Sequence, residues 1–307
     1  MAAQPRSKAP RQRMIPVRTP RGAGEMAVLD FGDPRRPADL IFVHANGFNA
    51  RTYRAILQPL AGELRILAPD LRGHGRTTLP LEDAGQRSWR GLRDDLIALI
   101  EALDEPPAVL AGHSMGGTVA LLAAGEAPAL ARGLVLFDPV MWGPVGVAMA
   151  HLPFARALTA KRAPIAVAAA RRRSVFDSRA AAFRAYHDRG AFKGWPDAML
   201  KDYIADGFRD RPDGTVELSC PPEWEALHYA IHAHDPYAAL RRFKGPVSIV
   251  KARRGSTCRI RDVEAFERRY PHARVRKVDG GHFFPMVNPD EVRSGLRDAA
   301  ARTSPSA

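Results

Sequence analysis

Gly112-His113-Ser114-Met115-Gly116 lies between the apolar run Ala108-Val109-Leu110-Ala111 and the small-residue stretch Gly117-Thr118-Val119-Ala120-Leu121-Leu122-Ala123-Ala124. The first run suits a buried strand and the last a buried helix. A strand that turns directly into a helix at a serine puts that serine in a strained backbone corner, which flanking glycines relieve. Ser114 would then stand clear of the sheet at a helix N-terminus. Backbone N–H groups and the helix dipole favour developing negative charge there. The pattern reads as a nucleophilic serine.

Working outward, apolar strands and helical patterns alternate. Leu40-Ile41-Phe42-Val43 is a continuous apolar run of the kind a parallel strand covered on both faces requires, and it runs into His44-Ala45-Asn46-Gly47-Phe48. A helix pattern follows through Tyr53, Ile56, Leu57 and Leu60, then a strand over Leu64–Ala68 that ends at Pro69-Asp70. Leu71-Arg72-Gly73-His74-Gly75-Arg76 is a glycine-bearing loop, and the next helix carries Leu92, Leu96, Leu99, Ile100 and Leu103 up to Pro106-Pro107. Upstream, Ile15–Arg18 and Met26–Phe31 read as two strands joined by a glycine turn. The fold class is α/β, with a mostly parallel, doubly wound sheet.

Four motifs in this order resemble the α/β-hydrolase fold superfamily, and its serine esterases and lipases in particular. They are His44-Ala45-Asn46-Gly47 after the third strand, Asp70-Leu71-Arg72-Gly73-His74-Gly75 after the fourth, Gly112–Gly117 after the fifth, and Gly280-Gly281-His282-Phe283 after the strand Ala273–Val278. The resemblance covers roughly residues 15–140 and 240–300. It implies a nucleophile–acid–histidine triad with Ser114 and His282 as two members. It also implies an oxyanion hole formed by the backbone N–H groups of Met115 and Asn46.

The acid departs from the commonest pattern of that family. After the strand Pro246–Val250 comes Lys251-Ala252-Arg253-Arg254-Gly255-Ser256-Thr257, which holds no carboxylate. Some members of the family carry the acid after the sixth strand instead. In this chain that strand is Gly133–Phe137, and it ends in Asp138-Pro139. Asp138 at the carboxyl end of a buried parallel strand is on the side where such sites assemble, so it is the expected acid. Asp262 is the competitor, but it precedes the Val263/Phe266 helix pattern and reads as an N-cap. His113, His44 and His74 read as structural.

Residues 139–237 break the strand–helix alternation. Helical stretches are expected around Phe154–Leu158, Ile165–Arg173, Ala180–Tyr186 and Met199–Phe208, with a hairpin turn at Asp213-Gly214. By the resemblance this insertion is a helical lid, with Met141, Trp142 and Trp224 as substrate-pocket residues and Trp195 and Tyr229 as further candidates. The expected organisation is a disordered basic tail over 1–14, a core over 15–138 and 238–303, and the lid over 139–237.

The net charge of +13 is uneven. Residues 1–21 hold six Lys/Arg and no acid, whereas 22–138 hold eleven basic and fifteen acidic groups. Neither basic region interleaves aromatics, which argues against nucleic-acid binding. Cys220 and Cys258 define no disulfide framework and no metal-ligand spacing. His228 and His232 could share a helix face, but the glutamate a zinc protease needs between them is missing. No run is long and apolar enough to span a bilayer and no signal peptide is evident, so a cytoplasmic setting without stable membrane insertion is expected. The expected chemistry is hydrolysis of a small to medium apolar ester, thioester or lactone through an acyl-enzyme on Ser114, with no cofactor and no metal. Carbon–carbon bond hydrolases, haloperoxidase-like enzymes and non-catalytic binding members of the fold are the alternatives. The oligomeric state is left open.

Overall fold

The structure, a computed structural model, describes residues 9–82 and 85–303. Eleven strands follow in chain order among them: β1 (Arg11–Thr19), β2 (Gly22–Phe31), β3 (Leu40–Val43), β4 (Ile66–Pro69), β5 (Ala108–His113), β6 (Ala131–Phe137), β7 (Val175–Phe176), β8 (Phe208–Asp210), β9 (Val216–Leu218), β10 (Val247–Ala252) and β11 (Ala273–Val278). The α-helices are α1 (Arg54–Leu57), α2 (Arg90–Leu103), α3 (Met115–Glu126), α4 (Pro144–Ala150), α5 (Ala155–Arg162), α6 (Pro164–Ala170), α7 (Arg179–Tyr186), α8 (Asp197–Gly207), α9 (Pro222–Ala230), α10 (Pro236–Arg242), α11 (Val263–Arg269), α12 (Phe284–Val287) and α13 (Pro289–Thr303).

Eight strands form one sheet in the order β1-β2-β4-β3-β5-β6-β10-β11. From β4 to β11 all neighbours are parallel, and β2 runs against both β1 and β4. The apolar runs are explained by burial on both faces. Ile41, Val43, Leu110, Leu134 and Leu136 face a core shared with α2, α3 and α10, while Leu40, Phe42, Val109, Val135 and Phe137 face a second core shared with α8 and α13. Alternate residues of one strand thus enter opposite cores, so neither set can be polar. β3 and β5 are neighbours, while β4 lies on the far side of β3. The chain reverses its winding there, and a crevice opens at the carboxyl ends of these strands.

The helix expected between β3 and β4 is a broken one, with 3₁₀ turns at Ala50–Tyr53 and Gln58–Leu60 flanking the four-residue α1. At the N-terminus the expected tail boundary is corrected. Residues 1–8 lie outside the described residues, but Arg11–Met14 belong to β1 and pair with Ala27–Asp30. Their cations are used there, since Arg11 (2.8 Å), Arg13 (3.6 Å) and Arg65 (3.2 Å) surround the buried Asp30 carboxylate.

Between β6 and β10 the chain leaves the large sheet. It builds the helices α4 to α9 and a small sheet of order β7-β9-β8. The Asp213-Gly214 turn joins β8 and β9, which pair antiparallel as expected; β7 adds a strand that sequence reading did not find. This insertion rests on the loops beyond β3 and β4. Asp206 bridges Arg51 (2.6 Å) and Arg76 (2.8 Å), Asp202 pairs with Arg54 (2.9 Å), and Asn49 Nδ2 donates to Tyr203 O (2.9 Å). Among the described residues no helix is long and apolar enough to cross a membrane.

The loop beyond β4 is anchored from below by a fully buried ion pair. Arg72 binds both oxygens of Asp95 on α2 (2.6 and 2.8 Å) and also donates to Thr19 Oγ1 and Arg21 O. Burial pushes the Asp95 carboxyl up, against the pull of the guanidinium. Removing one partner strands the other charge. Arg72→Met is therefore expected to lose about 3–5 kcal/mol in denaturant unfolding, and a loss near zero would show that water reaches Asp95.

Candidate active site

Ser114 sits where β5 turns into α3, with φ 56° and ψ −121°, a conformation that non-glycine residues rarely adopt. The turn closes only because its flanks lack side chains. A Cβ on Gly112 would come within 2.5 Å of the Gly116 carbonyl carbon, and one on Gly116 within 2.2 Å of Val43 O. The corner is tied to the next strand by Ser114 N–H donating to Phe137 O at 2.9 Å.

Asp138 follows β6 and is fully buried, with φ 43°. Its N–H donates to Val250 O on β10 (2.7 Å), which aims the side chain along the sheet's carboxyl edge. Oδ1 accepts from Ala252 N–H (2.9 Å) and Ser256 O–H (2.6 Å), and Oδ2 from Thr257 N–H (3.0 Å) and His282 Nδ1–H (2.6 Å). Burial alone would raise this carboxyl, but the bonds from His282, Ser256 and Ala252 outweigh it and hold Asp138 below its ordinary value.

His282 lies in the loop between β11 and α12, beyond Gly280 at φ 121°. Its Nδ1 faces Asp138, and its Nε2 is 2.9 Å from Ser114 Oγ. The structure therefore brings Ser114, His282 and Asp138 into one hydrogen-bonded chain from three distant stretches of sequence. Since Asp138 Oδ2 only accepts, the ring proton belongs on Nδ1, and the Nε2 lone pair faces the serine hydroxyl. Asp262 is exposed and caps α11 by accepting from Ala265 N–H (2.9 Å), as its position before that helix suggests.

The other histidines brace loops. His113 is buried, donates from Nε2 to His282 O (3.0 Å) and accepts from Tyr53 O–H at Nδ1 (2.8 Å); Tyr53 in turn accepts from Ala45 N–H (3.2 Å). This relay fixes the backbones of the His282 loop and the Ala45–Asn46 loop with respect to each other. His44 accepts from Leu71 N–H (2.9 Å) and donates to Ala45 O (2.8 Å). His74 accepts from Gly47 N–H (3.1 Å) and donates to Arg72 O (3.0 Å).

Asn46 lies in this loop, its Nδ2 donating to Glu225 O on α9 (2.9 Å). Its Oδ1 is buried and has no hydrogen-bond partner among the described residues. Met115 is the first residue of α3, ahead of the helix's own hydrogen bonding. Met141 is fully buried and bridges Cys258; Trp224 is buried, and its indole N–H donates to Arg72 O (3.0 Å). Trp142 is half-buried against the His232 ring, with centroids 4.4 Å apart. His228 and His232 donate to the carbonyls of Trp224 and Tyr229, and Asp235 caps α10. Among the described residues no cluster of His, Cys, Asp or Glu is placed to hold a metal ion.

Sequence reading missed Tyr53, Ser256 and Thr257. Tyr53 read only as one apolar position of a helix. The other two fall where the commoner pattern has its acid, and their hydroxyl side chains carry no local signal that they bind a carboxylate more than a hundred residues away.

Similarity to known proteins agrees with this architecture. The sequence model described as the alpha/beta hydrolase family matches residues 40–294. The chain is 30% identical to the 3-hydroxybutyrate-oligomer hydrolase of Cupriavidus necator over 132 residues, which span 43% of this chain and only 45% of that protein. It is 27% identical to the magnesium-chelatase 30 kDa subunit of Rhodobacter capsulatus over 306 residues, covering 95% of this chain and 94% of that one. The crystal structure of E-2-(acetamidomethylene)succinate hydrolase superposes with a TM-score of 0.75 at 21% identity, covering 95% of this chain and all of the other. With the strand order, the elbow at Ser114 and a family match across most of its length, the chain belongs to the alpha/beta hydrolase family.

Proposed function

We propose that this protein is a serine hydrolase that cleaves a carboxylic ester, thioester or lactone of a small to medium apolar substrate through an acyl-enzyme on Ser114. The observation that carries the reading is the 2.9 Å contact between Ser114 Oγ and His282 Nε2, continued at 2.6 Å to Asp138. A serine hydroxyl is a poor nucleophile near neutral pH and needs a base within hydrogen-bond reach. His282 takes the Ser114 proton as Oγ adds to the carbonyl carbon. Asp138, ionised and held by four donors, keeps the proton on Nδ1 and stabilises the imidazolium. The N–H groups of Met115 and Asn46 receive the oxyanion, and one such donor is worth roughly 3–4 kcal/mol in acyl transfer. The imidazolium returns the proton to the leaving group. Water, deprotonated by the same His282, then attacks the acyl carbon and frees Ser114. The insertion over 139–237 acts as the lid.

A fluorophosphonate probe tests the reading. Labelling of the wild-type chain that disappears in Ser114→Ala is the expected result, together with turnover of short p-nitrophenyl esters. A wild-type chain that neither takes the probe nor turns over any ester would end the hydrolase reading and leave a binding protein with an intact elbow.

A further inference from the structure

The insertion carries a surface that the chemistry at Ser114 does not use. Val145, Met149, Leu152, Phe154, Leu158 and Ile165 each expose between 41% and 74% of their surface. They sit on α4, α5, α6 and the links between them. Single exposed apolar residues are ordinary, but six large ones within about twenty residues of chain need a partner. The same stretch carries charge of one sign only. From Pro139 to Phe176 there is no Asp or Glu, while Arg156, Lys161, Arg162, Arg171, Arg172 and Arg173 fall within it. Arg172 is drawn inward to Glu225 (2.8 Å), and Arg173 lies 3.7 Å from Asp177. The side chains of Lys161, Arg162 and Arg171 are exposed and have no hydrogen-bond or ion-pair partner among the described residues.

We propose that α4, α5 and α6 form a docking face for the surface of an anionic lipid bilayer, with the six apolar side chains entering the headgroup–acyl boundary and the unpaired cations meeting lipid phosphates. Apolar side chains beside unpaired cations are what interfacial adsorption requires, since area burial and electrostatic attraction act together. A second copy of the chain fits poorly, because a two-fold contact would set one acid-free cationic surface against another. A nucleic acid would use the cations and leave the apolar residues in water. The first apolar residue of the face, Val145, follows Asp138 by seven residues, at most about 25 Å of chain, so a docked molecule would hold its Ser114 site near the bilayer. If the ester hydrolase reading holds, the substrate is then drawn from the lipid phase.

Vesicle co-sedimentation tests the proposal on the full chain, with activity left out of the readout. The wild type should sediment with phosphatidylcholine–phosphatidylglycerol vesicles, and added salt should weaken binding. Phe154→Ser with Leu158→Ser, and separately Lys161→Glu with Arg162→Glu, should each weaken it about tenfold or more. These residues are exposed, so far-UV circular dichroism and the melting temperature should stay at wild-type values. Ser114→Ala should bind like the wild type, which separates docking from any failure of the hydrolase reading. Absence of binding to the mixed vesicles overturns the proposal. So does loss on charge reversal alone, with the serine pair binding normally. Light scattering that shows a dimer broken by the serine pair would assign the face to a second copy and equally overturn it.

Discussion

Asp138→Asn should lower ester turnover by roughly 10³–10⁴-fold, while Asp262→Asn should leave it unchanged. The size of the first effect follows from hydrogen-bond direction. Each carboxylate oxygen of Asp138 faces one backbone N–H, from Ala252 on one side and Thr257 on the other. An amide must turn its NH₂ toward one of them. With the NH₂ at the Oδ2 position, the Nδ1 of His282 becomes the acceptor and its proton moves to Nε2, facing Ser114 Oγ. The imidazole then cannot accept the serine proton. With the NH₂ at the Oδ1 position, it opposes Ala252 N–H and leaves a buried donor unpaired, at a cost of about 1–3 kcal/mol in stability. In both orientations the negative charge that stabilises the imidazolium is gone. Asp262 differs because asparagine caps a helix as well as aspartate does, so α11 keeps its first-turn bond. A fall in turnover with Asp262→Asn and none with Asp138→Asn would mean that the acid has been assigned to the wrong strand.

The second large effect is acid lability. His74 and His232 are pushed down to about 4 and His228 to about 3, in each case chiefly by burial. Burial also holds His44, His113 and His234 below the ordinary imidazole value. The hydrogen bonds require the same direction. His44 and His74 each accept a backbone N–H at one ring nitrogen, so neither can take a second proton without breaking that bond. A group whose folded value is depressed binds more protons in the unfolded chain between the two values. Stability is therefore complete above about pH 6.5 and is lost as the pH falls toward 3–4. At pH 5 each strongly depressed histidine has cost about 2 kcal/mol. Asp70 acts the other way. Burial raises it to about 7 despite the bonds from Ala50 and Arg76, so its protonation below pH 7 returns about 3 kcal/mol by pH 5. His74, His228 and His232 set against Asp70 leave a net loss of about 3 kcal/mol between pH 7 and pH 5, to which the buried His44, His113 and His234 add and from which the raised carboxyls of Asp95 and Asp202 subtract. That is a large part of a typical domain's stability. Urea midpoints measured across this range should fall steeply, and a flat profile would show that these imidazoles reach water without unfolding.

What could be read from the chain alone follows from how local each signal is. The apolar runs at Leu40–Val43, Ala108–Ala111 and Gly133–Phe137 must be strands covered on both faces, because alternate residues face opposite cores. The glycines around Ser114 mark a turn that no side chain fits. The extent of β1 was not local. Arg11 and Arg13 look like part of a solvated tail until Asp30 is seen buried beneath them, 19 and 17 residues away in sequence.

The sequence by itself determined the doubly wound sheet, the position of the elbow and the short list of acids and histidines. Those depend on periodicity and on backbone room, which a few neighbouring residues specify. The place of Asp138 at the end of a buried parallel strand already favoured it over Asp262, but only the folded chain shows that Ser256 and Thr257 hold its carboxylate. Tertiary structure also decided that Tyr53 and His113 join two loops, and that the apolar side chains of α4 to α6 stay in solvent. Each of these depends on parallel strands laying residues more than fifty positions apart side by side, or on which helix faces find a neighbour. Hydrogen bonds reach about 3 Å in space and take no account of distance along the chain.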